Sequence, residues 1–415
     1  MKEWFKSLTK AKLLIILEML CIVILLGSLF NKNTSNNKTI ETAVEVTGEK
    51  KYIKWVEFNV TYGALDKAYR YDVETYKKEV HLNWIELLAF LGAKYGGDFS
   101  RYKEKDMINL ANKLINKEET MSSLTDDMKY YSYYLEAYTA VLGGLVGEYE
   151  IQVCAPTNTP TPTPTMTPML TPSVTIENTV TPFVVPQPTI TIEAKQVQPE
   201  LLWEKRYGLK AFSPIARDYY YYGYDDFGVS RSYGYKRQHL GHDMMGSVGT
   251  PVIAVESGYV EALGWNKYGG WRIGIRSFDK KRYYYYAHMR KDFPYNKSLE
   301  VGSIVTAGDV IGYLGRTGYS NTENTNNITT SHLHFGLQLI FDESQKEGNN
   351  EIWVDVYALT KFLYRNRSLT VKNLETKEYS RVYQMNDPIV VQYIENLKNP
   401  CKEEANNEGT IVEYE

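Results

Sequence analysis

Two different hydrophobic periods divide the chain. In "VHLNWIELLAFLGAKYGGDF" (Val80–Phe99) and "SLTDDMKYYSYYLEAYTAVLGG" (Ser123–Gly144) apolar residues recur at helical spacing and stop at paired glycines, which predicts a small all-α region over residues 40–150. After residue 207 the pattern shortens. "TPVIAVESGYVEALGW", "WRIGIRSF", "KRYYYYAHM", "VTAGDVIGYLG" and "HLHFGLQLIF" are β-rich runs separated by Gly, Asn and Pro turns, as expected of a mainly antiparallel β domain over 207–363, followed by a C-terminal extension, 364–415.

Two segments fit neither period. Residues 13–30, Leu13 to Phe30, are apolar or small apart from Glu18, and Lys2, Lys6, Lys10 and Lys12 precede them. That length suits a membrane-crossing helix, and the lysines predict a cytoplasmic tail over 1–12 with everything after the anchor outside the cytoplasm. The competing reading, a cleavable signal peptide, has a shorter apolar core and a small-residue cut site, which "LLGSLFNKN" supplies poorly. The expectation is a single-pass protein of the cell membrane. Between 155 and 199 lie ten of the fifteen prolines. Proline fixes φ and removes a donor, so this Pro/Thr-rich linker is expected to be an extended spacer dividing the ectodomain into two folded parts.

Composition narrows the function. At 415 residues the chain is long enough for two or three cores, and a net charge of −3 gives no electrostatic grip on nucleic acid. Cys21 lies in the apolar segment, while Cys154 and Cys401 stand far apart in regions expected to be flexible, so no disulfide framework is implied. Tyrosine is abundant, 36 residues, often in runs. Tyr130, Tyr131, Tyr133, Tyr134 and Tyr138 are expected mainly to fill the helical core. Glu86 lacks a partner carboxylate and is expected at a solvated helix position.

Histidine is distributed unevenly. Five of the six, His239, His242, His288, His332 and His334, fall within 96 residues of the β region, leaving only His81 elsewhere. On a strand His332 and His334 share a face. "RQHLGHD" offers His239 and Asp243 around a turn at Gly241. Two imidazoles and one carboxylate would leave one tetrahedral position for water, the arrangement of catalytic rather than structural zinc.

His-x-x-x-Asp, then "GTPVIAVESGYV", "YAH" and "HLHF", in that order over about Arg237 to Leu339, resembles the lysostaphin/LytM-type M23 zinc metallopeptidases, which cut peptide cross-links of bacterial cell walls. The resemblance implies that His239, Asp243 and His334 hold Zn²⁺ and that His288 and His332 are the catalytic pair, with His242 a bystander. It implies a zinc-dependent endopeptidase acting on peptidoglycan. In such a site zinc lowers the pKa of bound water and polarises the carbonyl, and the two histidines divide the tasks of base and oxyanion donor. The other reading is a noncatalytic scaffold or activator of a cell-envelope, division or sporulation complex; such relatives lack one or more ligands, and this chain has all of them. An envelope protein partner could dock through the helical region. One departure stands out: "GRTGYSNTENTNNITTSHLHF" inserts about ten polar residues before His-x-His, which predicts a remodelled groove rim. Finally, alternation along "RYYYYAHM" would put Tyr284, Tyr286 and His288 on one face, making Tyr286 a candidate substrate-binding residue.

Overall fold

The computed structural model describes residues 52–155, 201–232 and 236–398. The apolar stretch 13–30 expected to anchor the chain, the preceding residues 1–12 and nearly all of the Pro/Thr-rich segment lie outside the described residues. Among those described, no helix is long and apolar enough to cross a membrane.

The helical region contains α1 (Tyr62–Thr75), α2 (Trp84–Tyr95), α3 (Glu104–Ile115), the short α4 (Met121–Thr125) and α5 (Tyr131–Leu142). Side chains cap the starts of α1 and α2: the Thr61 hydroxyl accepts from Ala64 N and the Asn83 carbonyl oxygen from Ile85 N. Gly96, with φ 64°, closes α2 in the left-handed conformation that glycine adopts without cost. Leu87, Leu88 and Leu91 of α2 are wholly buried. Tyr134 and Tyr138 are core residues, and Tyr130, Tyr131 and Tyr133 pack against that core, as expected.

The chain then runs through β1 (Val146–Cys154) and β2 (Leu201–Leu209), and through the short β3 (Tyr221–Tyr222), β4 (Ser230–Arg231) and β5 (Arg237–Gln238). β6 (His242–Gly246), β7 (Pro251–Ile253), β8 (Gly258–Asn266), β9 (Gly270–Ser277), β10 (Arg282–Ala287), β11 (Ile304–Val305), β12 (Val310–Tyr313), β13 (His332–Leu339) and β14 (Ile352–Val354) follow. Eight of these make one antiparallel sheet in the order β11-β8-β9-β10-β13-β6-β3, with β14 paired to the far half of β13. Strand alternation gives it two faces. Tyr284, Tyr286, Ile273, Ile275, Phe335 and Leu337 are buried on one, while Tyr283 and Tyr285 lie on the other, along a groove.

The helical and β regions are not separately folded parts on a spacer. β1 and β2 pair antiparallel from Val146↔Leu209 to Cys154↔Leu201, so the two ends of the Pro/Thr-rich segment meet at neighbouring strand ends. Composition reports how a segment is solvated, but says nothing of where the chain returns. Cys154 accordingly ends a strand instead of lying in a flexible stretch. One buried cluster runs from Ile53 through α2 and α5 to the sheet and on to Leu363. It includes α6 (Tyr357–Leu363), whose Phe362 stacks on Trp84 of α2 at 5.7 Å. His81, the histidine outside the β region, bonds to buried Asp72, which also accepts from the Tyr207 hydroxyl of β2 at 2.6 Å.

Residues beyond 363 are likewise integrated, not an appendage. The β15 (Thr370–Lys372) and β16 (Tyr379–Arg381) hairpin leads to β17 (Met385–Asn386), which pairs with β1. α7 (Pro388–Lys398) then stacks Tyr393 on Phe278 at 4.2 Å. Buried Asp387 anchors this return, accepting from Lys210 at 2.8 Å and Ser257 at 2.7 Å.

Candidate metal and catalytic centre

The register of β6 against β13 brings the candidate ligands together. Asp243 is the direct partner of His334, whose other neighbour is Ala287 of β10. His239 arrives from the turn before β6. Gly241 makes that turn possible: a Cβ there would stand 2.7 Å from Phe335 O and 2.8 Å from the His334 ring. Asp243 Oδ1 lies 3.0 Å from His239 Nε2 and 2.8 Å from His334 Nδ1, and the two imidazole nitrogens are 3.2 Å apart. One ligand atom from each residue falls within a 4.8 Å cluster.

The surrounding bonds fix which atoms face inward. His239 Nδ1 lies 3.0 Å from Asp226 Oδ1, so its proton belongs there and Nε2 presents a lone pair to the cluster. Arg231 donates from Nη1 to Asp243 Oδ2 at 2.7 Å and from Nη2 to Asp226 at 2.5 Å, leaving Oδ1 facing the imidazoles. Burial alone would push the Asp243 carboxyl up, but the neighbouring His239 and His334 imidazoles hold it well below the usual range. Acceptor atoms so close together need a cation or shared protons between them. A mixed N/O set of this kind fits a zinc ion.

His288 and His332 border the same space. Their rings are 4.8 Å apart, the His288 ring is 5.9 Å from that of His334, and His332 Nε2 is 3.8 Å from Asp243 Oδ1. Each is anchored alike: His288 Nδ1 donates to Thr317 O at 2.9 Å and His332 Nδ1 to Thr330 O at 2.8 Å. Nε2 of each therefore carries the lone pair. Burial lowers the pKa of both, that of His288 further because the neighbouring His332 and His334 also oppose its charging.

His288 reaches this position by leaving the strand. Its φ is +63°, uncommon for a residue with a Cβ, and its N–H donates to Gly269 O at 2.7 Å. That twist corrects the expectation for Tyr286. Alternation does not carry through to residue 288, so Tyr286 lies on the buried face, wholly inaccessible, its hydroxyl accepting from Val255 N at 3.0 Å. Tyr285 lines the groove instead, its ring 6.0 Å from His334. His242 is a bystander: it points to the buried side, where Nδ1 bonds to Thr360 at 2.8 Å, and burial lowers its pKa to about 4.

The groove, about 730 Å³, crosses β9, β10, β13 and β14. Its floor carries Tyr283 and Tyr285, with Trp353 on the β14 side. The polar insert forms its rim: Tyr319 stacks over His288 at 5.9 Å and takes the Arg237 guanidinium on its ring, while Asn324 accepts from Trp271 Nε1 at 2.9 Å. Asp226, Arg231, Thr317 and Thr330 escape sequence reasoning. They act through side-chain or carbonyl positions set by loops, and no spacing marks them.

Residues 237–348 match Peptidase family M23. The chain is 34% identical over 154 residues to the L-Ala--D-Glu endopeptidase of Bacillus subtilis (strain 168), covering 37% of this chain and 44% of that protein. It is 38% identical over 115 residues to lysostaphin of Staphylococcus simulans, covering 28% and 20% respectively. The chain thus spans less than half the length of these curated relatives. Among solved structures, the catalytic domain of the antimicrobial peptidase lysostaphin from Staphylococcus simulans is 33% identical, with 35% of this chain and 93% of that one covered and a TM-score of 0.26.

Proposed function

We propose that this chain, whose residues 237–348 match peptidase family M23, is a zinc-dependent endopeptidase that hydrolyses peptide cross-links or stem peptides of bacterial peptidoglycan. The convergence of His239 Nε2, Asp243 Oδ1 and His334 Nδ1, beside two imidazoles with free Nε2 atoms, carries this reading. The relative named an L-Ala--D-Glu endopeptidase supports the reaction class, and the wall substrate follows from the family resemblance of the motifs between Arg237 and Leu339.

His239, Asp243 and His334 would hold the ion. Zinc supplies Lewis acidity toward a carbonyl and makes bound water acidic near neutral pH. The remaining work falls to this chain's own groups. Burial keeps His288 and His332 neutral near pH 7, so either Nε2 can take a proton, and the resulting imidazolium can return it to the departing amine or donate to a developing oxyanion. Their Nδ1–H bonds to Thr317 O and Thr330 O fix the tautomer and the ring planes. Asp226 does the same for His239. Tyr283, Tyr285 and Trp353 offer flat surfaces to an extended peptide.

Attachment to the membrane through residues 13–30, N-terminus inside, completes the proposal; it rests on the lysine-flanked apolar stretch. The test is digestion of purified cell wall by the full chain, followed by mapping of new amino termini, before and after chelation and zinc return. Hydrolysis that is lost on chelation and restored by zinc is expected. Full zinc binding without any wall cleavage would overturn the reading.

A further inference from the structure

The cations along the groove differ in how they are answered. Arg231 is bonded to Asp226 and Asp243. Lys346 is paired with Glu261 at 2.6 Å, and buried Arg276 pairs with Glu261 and with Glu343. Arg237 bonds to the Tyr319 hydroxyl and lies over its ring, and Arg272 of β9 differs from Arg231 and Lys346. It lines the groove, its Nε is buried with no hydrogen-bond partner, and none of the ion pairs among the described residues includes it. The Tyr283 hydroxyl, a neutral group, lies beside its guanidinium. A half-buried guanidinium without a counter-charge is unfavourable unless something completes it. Its Nε is closed off, but the Nη1–Nη2 edge also presents two parallel donors, which a carboxylate fits by accepting in bidentate fashion.

Register places this cation relative to the metal centre. Tyr285 pairs with Gly274 and Tyr286 with Ile273, so Ala287 falls beside Arg272, and Ala287 is also the partner of His334. Arg272 therefore stands two strands from His334, about 10 Å at roughly 4.8 Å per strand. An extended peptide advances about 3.3 Å per residue, so this distance corresponds to about three residues. On the opposite flank of His334 the groove carries Trp353 and Glu351. A substrate carboxylate would be drawn to Arg272 on the β9 side.

We propose that Arg272 is a specificity-determining residue, which captures a free carboxylate of the peptide substrate about three residues from the bond to be cut. The assignment rests on the endopeptidase reading above. A purely structural role, in which Arg272 only packs against Tyr283, would leave the enzyme indifferent to that carboxylate.

The test uses the full zinc-loaded chain and synthetic wall peptides in which each pendant carboxyl, one at a time, is a free acid or its primary amide. For one position, amidation should lower kcat/KM of the unaltered enzyme at least tenfold, mainly through KM. In Arg272→Gln the acid and the amide should be cut with equal kcat/KM, and Arg272→Lys should restore part of the preference, because it returns the charge without the fork. Indifference of the unaltered enzyme to amidation at every position overturns the proposal and leaves the endopeptidase reading intact. So does Arg272→Gln that is slowed but keeps the tenfold preference. If the unaltered enzyme cuts neither the peptides nor intact wall, both readings fall together.

Discussion

Two clusters of buried charge sit on opposite faces of one sheet. On the buried face, Arg282 gives its donors to Glu256 at 2.7 and 3.1 Å, Asp279 at 2.7 Å and the Ala140 carbonyl at the end of α5 at 2.9 Å, while the Tyr284 hydroxyl donates to Glu256 at 2.7 Å. Burial opposes the charge on Arg282, but Glu256 and Asp279 more than offset it. On the groove face, Asp243, His239 and His334 turn acceptor atoms toward one another, with the protons and cations placed behind them. The central group of each cluster, Arg282 in the one and Asp243 in the other, is almost hidden from water. What separates them is the balance of donors and acceptors: the first is closed and joins the helical region to the sheet, and the second is complete only with a cation. Burial of charge alone would have pointed to either as an active site.

The comparison breaks most sharply at the metal centre. Asp243→Ala should abolish zinc binding and wall hydrolysis together, since the remaining imidazoles lose the oxygen on which they converge; one equivalent of retained zinc by atomic absorption would refute the ligand assignment. His288→Ala and His332→Ala test a different function of the same face. Each should keep its zinc and lose about 10²–10⁴ in kcat, the range of one proton-transferring group. Activity near the unaltered level in either variant would remove that histidine from catalysis.

The closed cluster should respond in stability instead. Arg282→Met leaves Glu256 buried without its partner and the α5 carbonyls unanswered, and should cost about 3–5 kcal/mol. Chemical denaturation of the full chain reads this directly. A loss below about 1 kcal/mol would show that the network does not tie the two regions together. By the same argument, a fragment of residues 200–370 should fold poorly, because it lacks β1, β17 and the helix end against which Arg282 is placed.

Between these extremes stands Asp226, which orients a proposed ligand without touching the ion. Asp226→Asn keeps the shape but cannot hold the His239 Nδ1 proton in the same way. Zinc affinity or activity should fall about 10- to 100-fold, the usual effect of an orienting partner. Unchanged zinc affinity and unchanged activity would mean that Arg231 alone sets the geometry.

Sequence revealed more of the site than of the architecture. His239, Asp243, His288, His332 and His334 were legible because metal and proton chemistry restrict residue types, and because a strand fixes which residues share a face. The helical and β periods were legible for the same local reason. What escaped depends on distant contacts. Pairing of Cys154 with Leu201 across the Pro/Thr-rich segment leaves no periodic trace, nor does β17 returning to β1. Asp226 and Arg231 flank the ligands only because the β4–β5 hairpin folds over them. Tyr286 shows the limit of local reasoning itself: alternation held along β10, but the positive φ of His288 ended it one residue before it was needed.

The smallest expected effects test that last point and invert the naive expectation. Tyr286→Phe removes the acceptor of a buried Val255 N–H, which should lower stability by about 1–3 kcal/mol while leaving turnover per folded molecule unchanged. Tyr285→Phe changes a groove hydroxyl that takes only a long bond, 3.4 Å, from Asn266 Nδ2. Its stability should move by less than about 1 kcal/mol, and its kcat/KM on wall peptides should fall only a few fold, since the ring that faces His334 remains. Denaturation midpoints and initial rates on the two variants separate the faces. If Tyr286→Phe loses turnover at full stability, its hydroxyl reaches the substrate after all, and the strand must turn differently before His288.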